Sequence, residues 1–279
     1  MNTKVTNIQV TNTRRDTLGT GASVGVFGFG FWMEDAIAAD PAPSSSVTTV
    51  LVTGANRGIG LEFARQYAAR GWRVIATCRD PAKAADLQAL AGPLLTIEPL
   101  DVTDTAAIDR LAAKLKGTAI DILVNNAGIG GGGDNQVFGR INYGIFDDVM
   151  HTNVAGPLKM AEAFVEHVAA SSRKMIMMVS SSQGSLTGVR GASLYFYRAS
   201  KAALNMVTVN LAKAVKERGI IVGLVAPGAT DTDFMKEVRG RIPLGDPKER
   251  TAGMMAEIDK FTMATSGTFV EWNGQGVPW

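Results

Sequence analysis

Residues 47–60 read VTTVLVTGANRGIG, a β-rich apolar run that breaks at Thr53 into a turn with glycines at 54, 58 and 60. Beyond it, Leu61, Ala64, Tyr67 and Ala68 recur at helical spacing. The order is strand, tight turn, helix. Glycines in such a turn permit positive φ, let the backbone approach a pyrophosphate and let the helix pack close to the strand, while the free N–H groups of the helix face the anion. Gly54, Asn56, Arg57, Gly58, Ile59 and Gly60 are therefore candidate dinucleotide-binding positions.

From Val47 onward strand-like and helix-like patterns alternate, the signature of βαβ units in a doubly wound parallel sheet. About seven strands are expected, near 48–53, 73–78, 94–98, 120–125, 174–179, 220–226 and 268–272. Helices are expected near 58–70, 82–91, 104–115, 146–170 and 193–218. Right-handed crossovers put helices on both faces, and ligands belong at the carboxyl ends of the strands. Two insertions interrupt the pattern. Gly130–Gly133 with residues 134–143 predicts a long loop at the mouth of the site. Residues 233–266, punctuated by Gly and Pro, predict a substrate-covering segment. Phe234, Met235, Met254, Met255 and Phe261 within it read either as an apolar lid or as ordinary core or subunit contacts.

At 279 residues and 46% hydrophobic, the chain suits one large α/β domain, placed at 47–279. A formal net charge of +2 without a basic patch excludes nucleic acid as a partner. The single cysteine, Cys78, excludes an intramolecular disulfide and a cysteine-based metal site, and two histidines, His151 and His167, leave no metal centre to expect. Residues 1–46 differ in character. The pair Arg14/Arg15, the uncharged Gly-rich run Leu18–Met33, the A-x-A site Ala36–Ile37–Ala38 and a Pro/Ser-rich linker resemble a twin-arginine export signal, with cleavage near residue 38. The apolar run is too short for a stable membrane span. Export to the periplasm is the expectation, and a flexible tail on a cytoplasmic protein the alternative.

Tyr197 and Lys201 stand four apart in a helical stretch and so share one face. A free phenol titrates near 10, and acid/base work near neutral pH asks for a pKa lower by about 2 to 3, worth about 3 to 4 kcal/mol. A neighbouring ammonium and a positively charged oxidised nicotinamide are suitable tools. Three further runs lie downstream of the glycine turn: NNAG at Asn125–Gly128, SSSQG at Ser180–Gly184 and YRASK at Tyr197–Lys201.

In order and spacing these runs resemble the classical short-chain dehydrogenase/reductase family, and the ending GTFVEWNGQGVPW resembles its C-factor-like branch. The resemblance spans residues 47–279 and implies a single Rossmann-type domain in a homo-oligomer paired through the helices near 146–170 and 193–218. It implies that Tyr197 protonates a carbonyl oxygen, that Lys201 lowers the tyrosine pKa and holds the ribose hydroxyls, and that a serine orients the carbonyl. The family pattern S-S-x-x-G, anchored on Gly184, selects Ser181 from the three serines. Asn153, in HTNVAG, matches the family asparagine that supports a water leading to the lysine. Asp101 and Val102 fall near the adenine, Asn125, Ala127 and Gly128 on the ribose side, and Pro227 and Gly228 in the nicotinamide-side loop, where Thr230 or Thr232 holds the carboxamide. Tyr197 stands sixteen positions after Ser181, so extra residues are expected to bulge within 184–193.

Charge discriminates between cofactors. An acidic residue ending the second strand favours NAD, whereas Thr77, Cys78 and Arg79 stand there and Arg57 lies inside the glycine turn, a pattern that favours the 2'-phosphate of NADP. The expected activity is NADPH-dependent interconversion of a small-molecule carbonyl and an alcohol. The alternative is a signalling protein of the C-factor type that keeps the dinucleotide fold with little turnover.

Overall fold

Val50 and Val52 of the first strand pack into one apolar cluster and Leu51, between them, into another. This alternation on a fully buried strand places β1 (Thr49–Val52) at the centre of a layered fold. The structure is a computed structural model that describes residues 47–279, and the expectations of a leader, a cleavage site and export lie outside the described residues.

Seven strands form one parallel sheet in the order β3-β2-β1-β4-β5-β6-β7. The others are β2 (Arg73–Cys78), β3 (Leu95–Pro99), β4 (Ile122–Asn125), β5 (Met175–Val179), β6 (Ile221–Ala226) and β7 (Phe269–Glu271). Each lies where the sequence pattern put it. The order reverses between β1 and β4, so consecutive crossovers diverge there and leave a crevice at the carboxyl ends. On one face, α1 (Gly58–Ala69) contributes Phe63 and Tyr67, and α2 (Ala85–Gln88) contributes Leu87. On the other, α3 (Thr105–Lys114) contributes Ile108 and Leu111.

The helices depart from the pattern in four places, each for a local reason. Over 82–91 there is a 3-10 turn, Pro81–Lys83, and then the single turn of α2, because Asp80 accepts from the Ala82 N–H and starts a tight turn at Pro81. The helix expected over 146–170 is interrupted: α4 (Phe146–Met150) passes through a π turn, His151–Ala155, into α5 (Gly156–Ala169). The next, α6 (Tyr195–Ala214), starts later and ends earlier than expected, with Leu194 at φ 56° before it and a 3-10 turn, Lys216–Arg218, behind it. The outer sides of α5 and α6, expected to carry subunit contacts, leave Leu158 and Met206 exposed.

The fourth departure corrects the covering segment. Its second half folds as α7 (Pro247–Ile258), opened by Asp246, whose carboxylate accepts from Lys248 N and Glu249 N. Thr251, Met254, Met255 and Ile258 face inward at helical spacing, and the last three join the core with Phe261. They are not lid residues. Gly253 sits inside this helix because a Cβ there would run into the carbonyl oxygen of Trp272.

At the end of β1, a Cβ on Gly60 would overlap the Gly54 carbonyl oxygen and press on the Asn126 amide. Only glycine lets α1 approach the turn this closely. Gly60→Ala is expected to lose about 1 to 3 kcal/mol of unfolding free energy through overpacking, read as an earlier urea midpoint with an unchanged slope. An unshifted midpoint would show that the turn yields freely.

Candidate active site

The glycine turn is fastened to the next strand end by one hydroxyl. Thr53 Oγ1 accepts from the backbone N–H of Asn126 and of Ala127, both at 3.0 Å, and Asn126 Nδ2 donates back to the Thr53 carbonyl at 2.9 Å. Arg57 occupies the N-cap of α1 with extended backbone and gives no side-chain cap, and the first turn holds no acidic residue. The leading N–H groups of α1 thus face the crevice without a carboxylate on their own helix, which suits a pyrophosphate. Gly54 at φ 66° and Gly58 at φ 53° shape the cradle, and the Thr232 side chain packs 3.3 Å from where a Cβ on Gly58 would stand. The residues present fit a dinucleotide.

The two arginines differ in their surroundings. Arg79 is exposed just past the end of β2. The adjacent Asp80 is engaged elsewhere: its carboxylate pairs with Lys83 at 2.8 Å and accepts from Ala82 N, and first the bond to Lys83 holds its pKa below the ordinary carboxylate range. Arg57 is exposed too and lies 3.5 Å from the Asp233 carboxylate, an ion pair weak enough for a phosphate to displace.

Two of the three serines, just beyond the end of β5, are told apart by their partners on α6. Ser180, buried, donates to Asn205 Oδ1 on α6 at 2.7 Å, whereas Ser181, half-buried, stands beside the Tyr197 phenol. Ser181 Oγ also accepts from Gln183 N at 3.2 Å and so starts the 3-10 turn Ser182–Gly184. Lys201 lies a turn beyond Tyr197, its Nζ donating to the Val179 carbonyl at 3.0 Å and lying 5.9 Å from the centre of the tyrosine ring. A Cβ on Gly128 would stand 3.2 Å from Asn153 Oδ1 and 3.7 Å from Lys201 Nζ. Ser181, Tyr197, Lys201, Asn153 and Gly128 therefore converge at the ends of β4 and β5.

Burial governs the charges. It lowers the Lys201 ammonium from its ordinary value near 10.5 to about 8, since little in its surroundings replaces water. It raises the Tyr197 phenol, against a smaller opposing effect of the Ser181 hydroxyl. The sequence pattern calls for a tyrosine lowered by its lysine. In the protein alone desolvation wins, and the phenol holds its proton at neutral pH.

Asn153 lies in the π turn, a feature frequent at functional sites. Its Oδ1 accepts from Ile129 N, and its Nδ2 donates to the Ile129 carbonyl and to Ser200 Oγ, at 2.8 to 2.9 Å. It ties the loop after β4 to α6. The neighbouring His151 is exposed. Asn125 is only 3% exposed at the end of β4, and its amide has no hydrogen-bond partner among the described residues. Ala127 and Gly128 are the more open pair. Asp101 spends one carboxylate oxygen on its own turn, accepting from Thr103 N and Oγ1, and Val102 is buried against α5 near Gly156. After β6, Thr230 is buried with its hydroxyl on the Pro227 and Gly228 carbonyls, while Thr232 is half-exposed beside Gly58.

Two loops are held by specific contacts. Phe234, in the 3-10 turn Asp233–Val238, lies 5.5 Å from the Tyr197 ring centre and close over Gly130. The extra residues between Ser181 and Tyr197 are anchored by the chain end, with Thr187 N and Oγ1 both donating to the Trp279 carbonyl. Sequence patterns alone missed Thr53, Asn126 and Gln136 as structural parts of the site. The first two lie inside the TGANRGIG and NNAG runs, and the third is a lone glutamine in a glycine loop with no local signal.

A family model described as short chain dehydrogenase matches residues 48–242. The chain is 36% identical over 236 residues to 1-hydroxy-2-glutathionyl-2-methyl-3-butene dehydrogenase of Rhodococcus sp. (strain AD45), covering 84% of this chain and 100% of that one. Among solved structures it is similar to an NADPH-bound carbonyl reductase from chicken fatty liver, with TM-score 0.73, 34% identity and coverage of 84% and 99%. It is also similar to the carbonyl reductase Sniffer of D. melanogaster, with TM-score 0.76, 27% identity and coverage of 84% and 100%.

The depressed Lys201 pKa fixes the sign of a stability change. Below about pH 8 both folded and unfolded chains carry the proton, and the cost of burying the charge is fully present. Between 8 and 10.5 the folded chain loses that proton first, so the cost is relieved as pH rises. Tyr197 acts oppositely only higher, above its ordinary value of 10.0. In urea unfolding of the cofactor-free protein, wild type should gain on Lys201→Met between pH about 7.5 and about 9.5. A difference that does not move with pH would contradict the burial of a charged amine.

Proposed function

The chain belongs to the short-chain dehydrogenase family, an NAD(P)-dependent oxidoreductase acting on CH–OH groups, and from that premise we propose an NADPH-preferring carbonyl reductase with Tyr197 as proton donor. The observation that carries the proposal is the convergence of Ser181, Tyr197 and Lys201 on one point of the cleft, with the phenol held protonated by burial.

When bound, a reduced nicotinamide supplies the hydride. The protein's own residues do the rest. Ser181 Oγ donates to the substrate carbonyl oxygen and fixes its direction, and Tyr197 Oη delivers the proton to that same oxygen as it gains charge. Lys201 keeps a positive charge within 5.9 Å of the phenol ring. The reverse reaction needs the phenol pKa to fall, and that charge is the nearest built-in source. Phe234 covers the reacting carbonyl and excludes water. Thr232, open and adjacent to the glycine turn, is the better placed of the two threonines for the carboxamide, because the Thr230 hydroxyl is engaged in its own loop. Arg79 and Arg57 favour the 2'-phosphate, and the NADPH bound by the chicken carbonyl reductase at 34% identity supports the preference. The C-factor-like placement rests on the ending GTFVEWNGQGVPW.

Tyr197→Phe should abolish nearly all turnover of a ketone and aldehyde panel, followed as NADPH absorbance loss, with NADPH affinity almost unchanged. Activity within a few fold of wild type would remove the acid/base role. For the cofactor, Arg79→Gln should weaken NADPH binding by about 1.5 to 3 kcal/mol, the worth of a charge-assisted bond, and leave NADH nearly untouched. Equal Michaelis constants for the two cofactors in wild type would overturn the preference.

A further inference from the structure

The catalytic helix begins without a cap of its own. Leu194 stands at its N-cap with φ 56° and an apolar side chain, so nothing local satisfies the first N–H groups of α6. Two of those N–H groups belong to Phe196 and to Tyr197 itself.

A residue sixty positions earlier fills the gap. Gln136 closes a 3-10 turn, Asp134–Gln136, in the loop after β4 and has 0% exposure. Its Oε1 accepts from Phe196 N at 2.8 Å and from Tyr197 N at 3.0 Å. Its Nε2 donates to the Gly130 carbonyl at 2.8 Å and to the Gly132 carbonyl at 3.0 Å. A primary amide has two donor hydrogens and two acceptor lone pairs, and all four are used. On the other side of the same residue, Ser200 Oγ donates to the Tyr197 carbonyl at 2.8 Å and accepts from Asn153 Nδ2 at 2.9 Å. Both peptide groups of Tyr197 are thus held by buried side chains rooted in different elements.

The glycine end of the clamp matters equally. Gly131 and Gly132 have φ of 74° and 75°, and Gly130 lies under the Phe234 ring that packs on Tyr197. The amide therefore joins the start of the catalytic helix to the loop that floors the cover. We propose that Gln136 is a positioning residue for the proton donor, setting where the Tyr197 phenol lies relative to the substrate carbonyl by capping α6 from outside it. The proposal rests on the assignment of Tyr197 as proton donor.

The test compares wild type, Tyr197→Phe, Gln136→Met and Gln136→Glu in the full chain, with NADPH and the carbonyl compound wild type turns over fastest from an aldehyde and ketone panel. Binding-competent protein is counted by NADPH fluorescence titration. Methionine keeps the length and removes both ends of the clamp, so kcat per NADPH-binding site should fall about 10- to 100-fold, as for a misplaced catalytic group. The NADPH dissociation constant should stay within about twofold, because the glycine turn of α1 is untouched. Glutamate keeps the acceptor toward the helix but sets an oxygen against two carbonyls unless it is protonated. Its kcat relative to wild type should therefore rise as pH falls, which a merely structural role does not predict. Hydrogen exchange at the Tyr197 amide, read without substrate, should be slow in wild type and fast in Gln136→Met. A Gln136→Met kcat within about twofold of wild type beside an inactive Tyr197→Phe overturns the inference alone. So does a wild-type Tyr197 amide that exchanges freely. An active Tyr197→Phe overturns the proton-donor assignment on which it rests.

Discussion

Thr53 holds the structure together at the point where the sheet changes direction. Its hydroxyl accepts two backbone N–H groups from the start of the loop after β4, joining the carboxyl ends of the two strands between which the order reverses. A crevice there is a consequence of topology, and this bond ties its two sides while the glycines admit α1 beside it. With Asn126 bonded back to the Thr53 carbonyl, the glycine turn and the NNAG run act as one body. The glycine turn of α1 and the Ser181–Tyr197–Lys201 cluster are then referred to neighbouring strand ends of one sheet.

From that anchor the surroundings of Tyr197 are assembled by buried amides. Asn153 in the π turn and Gln136 in the glycine loop each use side-chain donors and acceptors to replace bonds that regular backbone would have made. Unpaired buried backbone groups are costly, so such substitutes are strongly specified once formed. The π turn and the start of α6 are local irregularities: Asn153 bonds out of the first to Ile129 and Ser200, and Gln136, distant in sequence, completes the second. The site gains fixed geometry where secondary structure is weakest.

Desolvation is the second constraint. Tyr197 and Lys201 share a pocket with few charges, so burial pushes the phenol up and the ammonium down, toward their neutral forms. A protonated phenol is the form that donates. The nearest built-in positive charge to the phenol is Lys201 itself, 5.9 Å from the ring centre.

The amino-acid order alone determined the sheet, because most strands are short, largely buried apolar runs bounded by polar or glycine residues, a signal contained within a few neighbours, while β3 and β7 are only partly buried. It determined the dinucleotide turn as well, since Gly54, Gly58 and Gly60 state their backbone requirement locally, and it placed Tyr197 and Lys201 on one helix face by simple period. Tertiary structure decided the rest. Helix α7 was hidden because Pro247 and Gly253 look like breakers, whereas Pro247 opens the helix and Gly253 admits Trp272, a residue far along the chain. The choice between Ser180 and Ser181, marked by a motif alone, acquires a physical cause in where Asn205 and Tyr197 lie on α6. Gln136 carries no pattern at all, for its meaning exists only once α6 arrives with two N–H groups and no cap. Local sequence fixes what depends on adjacent residues, and only the folded chain decides which distant group meets an unsatisfied one.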